Sequence, residues 1–321
     1  MPQFDLDKIV QYLAPYRDRL HEQYNWNADL SKLIDMQILS AEDRNRLDAH
    51  SRYDKEVQLK ALVRTAIWKA QSDDPGLFDQ LSLWIIKDWG GIKTAKEDAT
   101  KVLIADFLRE RNAGFDRIAS VSKVAAYMYP EEYIIYDSRV AYSLNWILLS
   151  QDAGDRFFPI PDGRNSKMMA FNMDTLIRLR YVDRYHPESL EKLTEKKNYI
   201  SRLDRSLYID RDSAYKEINS LMKEISVRLW HDDAEKAKHL FYTEMLLFSI
   251  ADREVFMDIT LHFSRIGATL YGMPRPRTES SLPASVKGRS IFSRIVPTVC
   301  NLEPMLHNLR EQDWNWSMLR D

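Results

Sequence analysis

The sequence predicts an all-α fold, on three observations. Apolar residues recur at helical spacing along most of the chain. Only nine glycines occur in 321 residues, too few for a glycine-rich nucleotide-binding α/β sheet. Alternating strand patterns are rare: EYIIYD and SLYID are the best, and both are short.

Taken in order, Leu59, Leu62, Val63, Ala66 and Ile67 form one apolar stripe, ended by the turn SDDPG at Ser72–Gly76. Leu103, Ile104, Phe107 and Leu108 form the next, with Gly114 as its expected stop. Val140, Ala141, Leu144, Ile147 and Leu148 make a third. Ile218, Leu221, Met222, Ile225 and Leu229 make a fourth, capped by Asp212 or Ser213. HDD at His231–Asp233 reads as the polar start of a helix. Two segments read as loops: FFPIPDGRNS at Phe157–Ser166 and the proline-rich Tyr271–Gly288. The expected organisation is an N-terminal helical segment (1–54), a central helical domain (55–156), a basic insertion or linker (157–212) and C-terminal helices (213–321).

Composition narrows the function classes. A single cysteine, Cys300, excludes an intrachain disulfide framework and cysteine-rich metal sites, and fits a reducing cytoplasm. The first residues, MPQFDLDKIVQYL, lack the features of a signal peptide, and no apolar run is long enough to cross a membrane. The expected location is the cytoplasm. Net charge is −2, which argues against indiscriminate coating of nucleic acid. Base is concentrated locally, with six basic residues against one acid between Arg265 and Arg294.

The chemistry is expected in SVSKVAAYMYPEEYIIYDSRV, Ser120–Val140. Ser120 and Ser122 are good helix caps, so a helix is expected to begin near Ser122 with Lys123 in its first turn. The partial positive charge there disfavours an ammonium and biases Lys123 toward a nucleophilic amine. Pro130 stops that helix, and Asp137 opens the next, where the same dipole favours its carboxylate.

A lysine after a helical corner, then an aliphatic-aliphatic-x-Asp-x-basic-Val element opening a further helix, resembles the helix-hairpin-helix DNA glycosylase superfamily. The nearest flavour is its 8-oxoguanine glycosylase-like branch. About Phe115–Leu148 carries the likeness, with Asp137 fourteen residues after Lys123. The pattern departs from the family's in three ways. IASVS stands where two glycines are usual, the interval is shorter, and Arg139 replaces a histidine. The resemblance implies catalytic Lys123 and Asp137, DNA contacts from Ser120, Ser122 and Arg139, duplex DNA with a flipped base as partner, and no metal or organic cofactor. It implies excision of an 8-oxoguanine-like lesion in repair, or of a hypermodified phage base in antiphage defence.

Structural readings stand beside these. Asp137 serves equally as a helix cap, and Arg139 either binds phosphate or pairs with Glu131 or Glu132. Tyr127, Tyr129, Tyr133, Tyr136 and Tyr142 read mainly as core, with holding a flipped base the alternative role. The rival functions are a non-catalytic helical binding module and a metal-dependent nuclease built on Asp162, Glu195 and Lys197.

Overall fold

The computed structural model describes residues 3–162, 165–185 and 205–270. The chain forms two compact units, Met1–Met257 and Asp258–Asp321. The fold is all-α, with no strand among the described residues, only the isolated bridges Phe4–Gly154 and Phe157–Tyr208. The proline-rich basic stretch and the nuclease pair Glu195 and Lys197 lie outside the described residues.

In the first unit, α1 (Leu6–Arg17), α2 (Leu20–Gln23), α3 (Ser31–Asp35) and α4 (Ala41–Asp48) lead into the long α5 (Arg52–Asp73). α5 is capped by Ser51, whose hydroxyl accepts from the Asp54 amide at 3.1 Å, and it buries Leu59, Val63, Ile67 and Ala70. SDDPG is a corner between helices: Asp74 ends α5 and caps α6 (Pro75–Trp84), with Pro75 in its favoured place at the helix start. α6 runs into a π-helical turn, Ile85–Trp89.

α7 (Glu97–Glu110) buries Ile104 and Phe107. It stops at Arg111, whose left-handed backbone (φ 53°) ends the helix before Gly114 is reached. α8 (Ile118–Met128) begins after Arg117, also left-handed at φ 57° and without a side-chain cap bond. The helix therefore starts four residues before Ser122, with the exposed turn 111–117 joining it to α7. α9 (Ser138–Ser150) is buried from Val140 through Leu148. A helix apolar on every side belongs at the centre of a bundle. Its two buried polar groups are matched: Ser143 donates to the Leu247 carbonyl at 2.8 Å, and Asn145 exchanges a pair of 2.8 Å bonds with the Phe158 backbone.

α10 (Ser166–Ala170) and α11 (Met173–Arg180) precede α12 (Arg211–Leu229), which is capped by Asp210, two or three residues earlier than Asp212 or Ser213 would place it. Asp233 caps α13 (Ala234–Lys238), as the HDD pattern predicts. α14 (Phe241–Ile250) continues through a second π-helical turn, Ala251–Val255, into α15 (Phe256–Leu270). α1 packs on α12, and α2 on α5 and α14, while α9 packs against α14, the second π-turn, α11 and α1.

The two strand-like signals have other uses. SLYID supplies the bridge to Phe157: Phe157 N–H donates to the Leu207 carbonyl at 2.8 Å, and Ile209 N–H to the Phe157 carbonyl at 2.9 Å. In EYIIYD, Ile134–Tyr136 are buried and irregular but pair with no strand. Their consecutive amides donate to three side chains: Ile134 to Asn219 (2.8 Å), Ile135 to Glu244 (2.9 Å) and Tyr136 to the Ser122 hydroxyl (3.0 Å). A buried amide must be paired, and here α12, α14 and α8 each contribute one acceptor.

Candidate active site

That segment delivers Asp137 to the first position before α9. The Asp137 carboxylate accepts from the Arg139 amide at 2.9 Å, so its role as a helix cap holds. The anchors on Ile134, Ile135 and Tyr136 fix the direction in which the carboxylate leaves the backbone.

Lys123 is the sixth residue of α8, in the second turn, and only 4% exposed. Its Nζ donates to the Ala119 carbonyl at 2.8 Å, because a helical side chain leans toward the N-terminus of its helix. The amine is held below the usual lysine pKa. Burial is the main cause and Lys60 adds to it, while Asp137 and Glu244 oppose it. Low basicity was expected from the helix terminus; position in the second turn makes desolvation the cause instead.

Lys123, Asp137 and Arg139 line one cleft, together with Tyr24, Trp26, Trp89, Gly90, Ile135, Glu244 and Phe248. The cavity measures about 60 Å³, room for a few waters and too small for a nucleobase until its walls part. Those walls are aromatic and meet edge to face: Trp26 with Trp89 at 6.4 Å between centroids, and Trp26 with Phe248 at 5.9 Å. The first π-helical turn borders it, and the second reaches it through Arg139. The first ends at Trp89, and the second carries Asp252, which pairs with Arg139 at 3.3 Å. Such turns widen a helix locally and are frequent at functional sites.

Glu244 is the acid that sequence reading missed. It sits in α14, 5% exposed, with one carboxylate oxygen taken by the Ile135 amide. Burial raises its pKa to about 7, with Lys60 and that hydrogen bond opposing the rise, so near neutral pH it can give or accept a proton. A lone acid inside the apolar run FYTEMLLFSI was the available signal, since an unpaired buried acid is rare.

Two expectations change. Ser120 and Ser122 are interior, 6% and 0% exposed, and Ser122 is spent on the Tyr136 amide, so neither faces a phosphate. The connection before α8, residues 111–117, is exposed at most positions and is displaced from IASVS. Arg139 pairs with Asp252 and lies 4.6 Å over the Phe248 ring; Glu131 instead takes Lys238 at 3.2 Å and Arg64 at 3.8 Å. The tyrosines keep their main reading: Tyr127, Tyr136 and Tyr142 are buried, and none of these or of Tyr129 and Tyr133 lines the cleft, whose aromatic residues are Tyr24, Trp26, Trp89 and Phe248.

Fold and site together define an all-α protein with a buried, poorly basic lysine opposite two carboxylates in an aromatic cleft. No family model, curated protein or solved structure matches the chain.

Proposed function

We propose that the protein is a DNA glycosylase with associated lyase activity, acting on a base extruded from duplex DNA. The observation that carries this reading is the convergence of Lys123 and Asp137, from two different helices, on one aromatic-walled cleft. The neutral Lys123 amine attacks C1′ of the deoxyribose. The C1′–N bond breaks, its electron pair leaves with the base, and the base takes up a proton. Asp137 stabilises the positive charge that develops on the sugar. Loss of the amine proton and opening of the sugar ring give a Schiff base on Lys123, from which strand scission by β-elimination follows.

The aromatic rings suit a flat guest, and entry requires Tyr24, Trp26 and Phe248 to move apart. The target is an 8-oxoguanine-like lesion or a hypermodified base. Trapping with borohydride on duplexes carrying such bases tests the reading: the wild type forms a covalent adduct, Lys123→Gln does not, and Asp137→Asn slows base release. Retained DNA binding with no adduct and no base release across a broad substrate panel would reassign the scaffold as a binding module.

A further inference from the structure

Behind the cleft lies an ion pair that the chemistry above does not use. Glu56 and Lys60, one turn apart on α5, are 3% and 7% exposed, with Lys60 Nζ 3.5 Å from Glu56 Oε1. A buried ion pair is seldom needed for stability, since apolar replacements are often neutral or better. Its surroundings give it another use. Both Glu56 oxygens accept from Trp89 Nε1, each at 3.1 Å. The Lys60 ammonium lies 4.8 Å from the Trp89 ring centroid and 4.6 Å from that of Tyr127. Trp89 is thus gripped by its edge and by its face. Its backbone carbonyl accepts from Trp26 Nε1 at 3.0 Å, which ties a second wall of the cleft to the same residue.

The next residue is Gly90, and Lys123 runs directly against it: a Cβ there would lie 2.5 Å from Lys123 Cε. We propose that Glu56 and Lys60 are positioning residues for Lys123, acting through Trp89 and Gly90 to hold the lysine stem and the cleft wall in register. This rests on the glycosylase reading for its biological meaning, but the contact chain stands without it. Lys60 also acts through space. The charged groups facing Lys123 are Asp137 from the start of α9, Glu244 from α14 and Lys60 from α5, and only Lys60 favours the neutral amine. The larger cavity beyond Lys60, about 390 Å³, offers no comparable assignment, because its rim charges are already paired: Arg64 with Glu131, and His239 with Glu235.

Two measurements across roughly pH 6 to 9 test the proposal on the full chain. One is borohydride trapping on a duplex containing an abasic site. The other is reductive methylation of Lys123 by formaldehyde and cyanoborohydride, read by peptide mass, which needs no DNA. Lys60→Met is expected to move both midpoints upward, with a severalfold loss of rate at neutral pH, and Lys60→Arg to restore most of it. Glu56→Gln, nearly isosteric, is expected to lower the trapping rate severalfold through a looser Trp89. Unchanged methylation midpoint and rate in folded Lys60→Met and Glu56→Gln proteins overturn the proposal. Failure of the wild type to trap abasic DNA, with the methylation midpoint still shifted in Lys60→Met, overturns the glycosylase reading and leaves the positioning role in place.

Discussion

Gly90 leaves bare the one face of the first π-turn against which the Lys123 side chain packs. A Cβ at this position would come 2.5 Å from Lys123 Cε, 2.6 Å from Cδ and 2.8 Å from the Ile85 carbonyl oxygen. The lysine methylenes can swing away; the Ile85 oxygen, which accepts from the Gly90 amide at 2.9 Å, cannot move without opening the turn. Gly90→Ala is therefore expected to cost about 1–3 kcal/mol and to displace the amine from the cleft. Denaturant melts measure the first effect and abasic-site trapping the second, and full trapping activity in a folded Gly90→Ala protein would mean that the lysine's path is not fixed here.

Burying an amine whose pKa is lowered makes Lys123 a stability cost at neutral pH. The folded state binds fewer protons than the unfolded state between the lowered value and the unperturbed lysine pKa of about 10.4, so this contribution improves as pH rises through that window. Lys123→Met keeps the stem and removes the titrating group. It is expected to raise stability at neutral pH by about 1 kcal/mol, the usual gain when a functional group in a dry site is replaced, while abolishing trapping. The gain should shrink as pH rises through that window and vanish only above about 10.4, where both states carry a neutral amine; thermal melts at three pH values decide it.

Glu244 has the opposite slope. Its pKa is about 7 in the fold against 4.5 ordinarily, so the folded state holds the extra proton across that interval and stability falls as pH rises from 4.5 to 7. Glu244→Gln retains an acceptor for the Ile135 amide and cannot ionise. Its stability relative to wild type is expected to be near parity at about pH 4.5 and to increase steadily until about pH 7, levelling above. Equal melting differences at both ends of that range would place the ionisation elsewhere.

The all-α class was legible because it rests on local periodicity: every residue of the stripe Val140–Leu148 that the spacing selects is buried in α9. Asp137 as a cap and Asp233 as a cap were legible for the same reason, since capping is a contact within one turn. The start of α8 was not, because Arg117 adopts a left-handed backbone with no side-chain signature, and two good capping serines downstream were a stronger local lure. Most of the cleft was also out of reach. Trp26, Trp89 and the α14 pair Glu244 and Phe248 come from three separate places in the chain, and only tertiary packing brings them to Lys123. EYIIYD carried a true signal of buried, non-helical backbone, but sequence could not tell that its partners would be side chains rather than a strand.

Ser122 separates the phosphate-contact expectation from the structural role found for it. If the hydroxyl's work is to accept the Tyr136 amide, Ser122→Ala leaves a buried N–H unpaired immediately before Asp137. That costs about 1–3 kcal/mol, and it loosens the segment that aims the carboxylate. Asn219→Leu should behave alike, since Asn219 accepts from the Ile134 amide two residues earlier while lying on a different helix. A phosphate contact predicts another pattern: Ser122→Ala would weaken DNA binding and flatten its salt dependence without touching stability. The expected outcome is lower stability in both variants, slower base release or trapping, and an unchanged salt slope of DNA binding. A Ser122→Ala protein as stable as wild type, but with weaker and less salt-sensitive binding, would return the serine to the DNA surface.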